Sequence, residues 1–221
     1  MSTNFEVHPK STQAPTFREL LDLASVRLNE FLEQHGIDAR PVISATLLST
    51  REDKPRPFDL DFPARWGGDK YAWFSIEGVP GGTDAYCWPI EDGEDSREML
   101  FEEITPRPAA AEKKELIEAC LNNTFYWSFR RSAGQPAIIN VAYGIIAASL
   151  AELTEGFVYT SDGAWDYERF PATAPEFFSW YFRPELAIRS EHAEWATRCL
   201  ELLPEELKPK KEKKKWFRWL S

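Results

Sequence analysis

The chain has 221 residues, 43% of them hydrophobic and 28% charged, a balance typical of a folded globular protein and unlike a mostly disordered chain. Its formal charge is -10, unevenly placed: Lys208 to Ser221 hold six Lys and one Arg against one Glu, whereas Met1 to Leu207 hold 19 basic and 35 acidic residues, a net of -16. A body this acidic repels nucleic acid and anionic membrane and attracts basic partners, while the tail prefers the opposite.

Residues 1 to 15 have no periodicity and are expected to form a loose lead-in. Thr16 and Glu19 have capping-box spacing, and Phe17, Leu20, Leu21, Ala24, Leu28, Phe31 and Leu32 recur on one helical face, so a helix opens at Thr16 and ends at Gly36. Pro41 to Thr50 reads as a strand. Arg51 to Asp69, broken by prolines and by Gly67-Gly68, reads as a long loop. Tyr71 to Glu77 and Asp84 to Ile90 are expected to pair as a hairpin, with Pro89 suiting an edge or a strand end. After the acidic run Glu91 to Asp95, helices are expected at Ser96 to Ile104 and Ala109 to Leu121. Thr124 to Arg130 alternates Phe125, Trp127 and Phe129 with polar neighbours, as a half-buried strand does. Ala137 to Leu153 is nearly all apolar or small and suits a central helix. Gly156 ends it. A strand at Phe157 to Thr160, a turn at Ser161 to Ala164, and helices at Ala174 to Phe182 and Glu191 to Leu203 follow.

The order is not a regular β-α alternation. It points to a single α+β domain over residues 1–207, with a mainly antiparallel sheet of about five strands packed with about six helices, and then the basic aromatic tail 208–221. Cys87, Cys120 and Cys199 cannot all pair within one chain, and no secretion signal is recognisable, so free thiols in the cytoplasm are expected. Val141 to Ala151, the longest nearly apolar run, is too short to span a bilayer.

Catalytic signatures are scarce. Of the three histidines, His8 lies in the lead-in, His35 closes a helix and His192 opens one, all ordinary surface or capping positions. Zinc ligands would have to cluster, and the cysteines are far apart; the acids after Ile90 lack calcium-loop spacing. No metal and no cofactor is expected. Asp162, Asp166 and Glu168 surround Trp165, and a carboxyl buried against an aromatic can act as a general acid or base. The plainer reading makes Asp162-Gly163 a tight turn and Asp166 a cap or salt-bridge partner.

Surfaces carry more signal. Glu91, Asp92, Glu94, Asp95, Glu98, Glu102 and Glu103 stand against a single base, Arg97, and with Trp66, Trp73 and Trp88 nearby they suit docking of a basic protein. Asp162 and Trp165 are further candidate contacts. The tail, with Trp216, Phe217 and Trp219 among its lysines, could instead touch a membrane surface.

The segment Ala148 to Pro184 resembles the C-terminal part of immunity proteins encoded beside bacterial type VI and polymorphic toxins. Its apolar helix, Ala148 to Gly156, runs into a short strand and the aromatic Asp-Gly turn Asp162 to Trp165. The resemblance covers about a fifth of the chain and carries no catalytic signature. It implies a small cytoplasmic inhibitor that binds one cognate toxin and performs no catalysis; the acidic body, for its part, suits a nuclease or another toxin with a basic cleft as partner and binds no nucleic acid itself. A carboxylate-dependent enzyme using Asp162, Asp166 and Glu168, and a peripheral membrane adaptor using the tail, are the alternatives.

Overall fold

The computed structural model describes residues 2–50, 55–56, 58–67, 69–90 and 94–208. One sheet organises them: β1 (Thr3–His8), β2 (Ile43–Ser49), β3 (Pro55–Arg56), β4 (Lys70–Ile76), β5 (Thr83–Pro89), β6 (Phe125–Arg131) and β7 (Phe157–Tyr159). The order is β3-β2-β4-β5-β6-β1-β7, and all neighbours run antiparallel. The helices are α1 (Phe17–Gln34), α2 (Glu94–Ile104), α3 (Lys114–Leu121), α4 (Ala137–Leu153), α5 (Ala174–Trp180) and α6 (Ser190–Glu206), giving the single α+β domain.

The period-two pattern decides which side of the sheet is core. Phe5 and Val7 on β1, Ala72, Phe74 and Ile76 on β4, and Phe125, Trp127 and Phe129 on β6 are all buried on one face. Against that face lies α4, whose residues from Ala137 to Ala151 are all buried. It touches β1, β4, β6 and β7 on one side and α1, α5 and α6 on the other, which is why it is apolar all round.

Glycine makes the closest helix contact possible. Tyr181 lies across α4 at Gly144, where a Cβ would stand 2.4 Å from the phenol ring, and its hydroxyl donates to the Asn140 carbonyl at 2.9 Å. Gly144→Val should cost about 3 kcal/mol, because neither the buried ring nor the central helix can move away. Urea denaturation checks this; a loss below about 1 kcal/mol would show that Tyr181 can give way.

Three sequence expectations are corrected. Residues 3–8 are a strand inside the sheet, not a loose lead-in: β1 lies between β6 and β7, with Phe5 opposite Phe129 and Glu6 opposite Tyr159. Only Phe5 and Val7 mark its inner face, and its partners lie far along the chain. The expected loop 51–69 contains β3, paired with β2, and its later part packs Phe58 and Trp66 on Phe17 of α1 at 4.8 and 5.4 Å between ring centres. The helix expected at 109–121 is a 3-10 turn, Pro108–Ala110, and then the shorter α3. Other elements lie where their patterns place them, including the capping box of Thr16 and Glu19. No helix of the described residues is long and apolar enough to cross a membrane, and the tail beyond Lys208 lies outside them.

Candidate functional site

The second face of the sheet carries a different set of side chains. Alternation places Tyr71 and Trp73 of β4, Asp84, Tyr86 and Trp88 of β5, Tyr126 and Arg130 of β6, Glu6 and His8 of β1, and Tyr159 of β7 on it. The end of α2 reaches this face at β7. The helix starts just after β5, and its Glu103 accepts a hydrogen bond from the Tyr159 hydroxyl on β7 at 2.8 Å. From β5 to β7 there are three strand spacings, roughly 14 Å, and an eleven-residue helix is roughly 16 Å long. The helix is therefore long enough to cross β6 and β1.

Polar groups are buried around this end of the face. His8 is fully buried, stacked between Tyr126 at 5.2 Å and Phe157 at 5.0 Å, with Nε2 3.3 Å from Glu6. Arg107, in the link after α2, is 4% exposed. Its guanidinium lies 4.1 Å from the Tyr159 ring and 3.9 Å from the Tyr167 ring, and donates to the Thr160 carbonyl at 2.8 Å and the Tyr159 hydroxyl at 2.5 Å. Burial, then the bond to Glu103, pushes the Tyr159 phenol well above its ordinary range, so it stays protonated and keeps donating.

Toward β4 and β5 the face is more open. Trp88 is 45% exposed and stacks on Tyr86 at 5.5 Å, and Tyr86 stacks on Tyr71 at 5.7 Å. Buried Asp84 accepts from Arg130 Nε at 2.8 Å. Around the end of β5, next to Trp88, opens a groove of about 650 Å³ walled by Arg65, Trp66, Cys87, Pro89, Thr124 and Phe125. Arg65 lies 4.2 Å above the Phe125 ring. On the outer side of α2, Glu98 and Glu102 are exposed, and Met99 between them is 64% exposed.

Burial pushes the Cys87 thiol from an ordinary 9.0 up to about 11, and the Cys120 thiol up to about 12. Raised folded-state values mean their contribution to stability is complete below pH 9 and is lost as the pH rises through 11 and 12. Reactivity follows the same sign. At pH 8, iodoacetamide should alkylate Cys87 about a hundredfold more slowly in the folded protein than in urea. Equal rates would mean that Cys87 is not shielded.

The candidate residues do not form one site. Glu91 and Asp92 lie outside the described residues, while Glu94 and Asp95 open α2. Trp88, Glu98 and Glu102 are exposed, as docking requires. Trp66 is only 8% exposed, because its ring packs on Phe17, so it is a groove wall rather than a protruding anchor. Trp165 is fully buried among Tyr181, Phe182, His192 and Trp195 and is a core residue, not a contact.

The three carboxylates of the same loop are all engaged. Asp162 accepts from the Asn4 amide at 2.8 Å and the Thr160 hydroxyl at 3.1 Å. Fully buried Asp166 accepts from the amides of Ile188 at 2.7 Å and Arg189 at 3.1 Å, and from His192 Nδ1 at 2.9 Å. Glu168 lies 3.5 Å from Arg189. His192 is thus an internal tie between α6 and this loop, not an ordinary helix-end residue, and His8 is likewise interior. The sequence reading also missed Arg107 and Met99; no local pattern marks an arginine between two prolines as buried. No family model, curated protein or solved structure matches the chain.

Proposed function

We propose that this protein is a cytoplasmic immunity protein, which binds one cognate bacterial toxin and covers its active site without catalysis. The observation that carries the reading is the exposure of Trp88 at the end of β5 and of Glu98, Met99 and Glu102 on α2, on an acidic body. Aromatic and methionine side chains give desolvated contact area, and the acids steer a basic cleft toward it. A nuclease, or another toxin that grips an anion, is the kind of enzyme such a surface suits. The resemblance of Ala148 to Pro184 to immunity proteins adds to this, although those residues build the interior: α4 and Trp165 are buried. A carboxylate enzyme has less support, since Asp166 is wholly taken up by amides and His192.

The test is calorimetry with the product of the neighbouring gene. A tight one-to-one complex that silences a toxic activity is expected; no binding ends the reading. Within such a complex, reversing Glu98 and Glu102 to lysine should weaken binding about tenfold at low salt, mainly by slowing association. Unchanged affinity and salt dependence would put the interface elsewhere.

A further inference from the structure

We infer that the cavity on the second sheet face, over β4, β5 and β6, is a binding site for one neutral sugar ring, a pyranose held through two adjacent hydroxyls. The inference is independent of the toxin-inhibitor reading. Antiparallel register builds the site. Trp73 on β4 stands opposite Asp84 on β5, and Asp84 stands opposite Arg130 on β6, so the three side chains form one row across the sheet. Two residues further along their strands, Tyr71 and Tyr86 stack on each other at 5.7 Å. These rows, with Thr50 and Ser132, wall a cavity of about 280 Å³, which is room for one sugar ring rather than a larger molecule.

The polar groups of the row are only half used. Asp84 is 4% exposed; its Oδ2 accepts from Arg130 Nε at 2.8 Å, while its Oδ1 takes no hydrogen bond from the described residues. The two terminal nitrogens of Arg130 likewise donate to none of them. A carboxylate this confined ordinarily has its oxygens satisfied, so the pair offers a ligand one acceptor beside a fork of donors. Two adjacent hydroxyls match that pattern, one donating to Asp84 Oδ1 and the other accepting from the guanidinium. Charge selects a neutral occupant: an anion is repelled by Asp84 and the acidic body, and a cation by Arg130. Trp73 supplies the apolar side. It is half-buried and backed by Gly82, where a Cβ would stand 2.6 Å from Cε2. The electron-rich face of an indole attracts the polarised C–H groups of a sugar ring.

Saturation-transfer NMR and calorimetry on the full chain test this, with methyl glucoside, methyl galactoside, methyl mannoside and N-acetylglucosamine as probes. At least one should bind with a dissociation constant of about 1 mM, as expected for a ligand of so few atoms. Trp73→Ala removes the apolar side, and Ser132→Trp, at an exposed position on the rim, fills the cavity without entering the core. Each should weaken binding at least about tenfold, with circular dichroism confirming that it folds. Leu202→Ala, at an exposed leucine of α6, should leave binding unchanged. No transfer to any of the four sugars at about 10 mM overturns the inference. So does binding that survives both cavity variants, equal binding of cyclohexanol, which has the ring without the second hydroxyl, or binding of uridine with none of the sugars. None of these results bears on the toxin complex.

Discussion

Asp166→Ala is expected to lower the free energy of unfolding by about 3–5 kcal/mol, enough to unfold a domain of ordinary stability near physiological temperature. The carboxylate is fully buried and accepts from the amides of Ile188 and Arg189 and from His192 Nδ1, with Arg169 Nε 3.7 Å away. Alanine would leave these donors without an acceptor inside the protein, and each orphaned donor costs about 1–3 kcal/mol. The imidazole of His192, stacked on Trp165 at 5.4 Å, would lose the partner that sets its orientation. Asp166→Asn should be milder, because its carbonyl oxygen still accepts from one of the amides. Asp162→Ala should cost only about 1 kcal/mol, since Asp162 is exposed and water can take the place of its carboxylate. Urea denaturation of the three variants measures the order. Equal losses at positions 162 and 166 would show that water replaces the Asp166 carboxylate and that the site is not sealed.

The difference between these two aspartates also shows what could be read from the sequence. Periodicity identified α1, α4, β6 and the β4–β5 hairpin, because in each the inward residues recur at a spacing set by the element itself. The capping box of α1 is a purely local signal and needs no tertiary partner. β1 is the opposite case. Its two inner residues, Phe5 and Val7, become significant only between β6 and β7, which the chain reaches more than a hundred residues later. Glycine was similarly ambiguous. Gly156 reads as a helix stop, yet Glu155 takes the left-handed backbone, at φ 51°, while Gly156 is needed because a Cβ there would meet the His8 carbonyl oxygen at 2.1 Å.

The same limit governed the site residues. The acids of α2 were legible because exposed charge is a local property of composition, and Glu98 and Glu102 are indeed on the surface. Tryptophan carries no such mark. Trp66, Trp88 and Trp165 look alike in sequence, but their exposures are 8%, 45% and 0%, set by Phe17, by the open sheet face and by the aromatic core around Tyr181. Nor could Asp166 be distinguished from Asp162, because its donors come from the loop before α6 and from His192, and pairing across that distance leaves no local spacing.

Arg107 joins the fold to the proposed binding surface, and its removal is the second large effect. Arg107→Ala should cost about 3–4 kcal/mol: the Thr160 carbonyl loses its donor, two aromatic rings lose a desolvated cation, and a cavity is left between them. Lysine should restore little, since one ammonium cannot stack between two rings and donate in two directions as a planar guanidinium does. The arginine donates to the Tyr159 hydroxyl, which donates to Glu103 at the end of α2, so this chain of bonds ties the end of the helix to β7. Loosening it should blur the position of Glu98, Met99 and Glu102, and toxin affinity should fall together with stability. Surface variants such as Glu98→Lys should reduce affinity at unchanged stability. Urea denaturation and calorimetry on the same samples separate the two. An Arg107→Ala protein that is destabilised yet binds undiminished at low temperature would show that α2 is held by its other contacts, and that the acidic surface does not depend on this buried cation for its position.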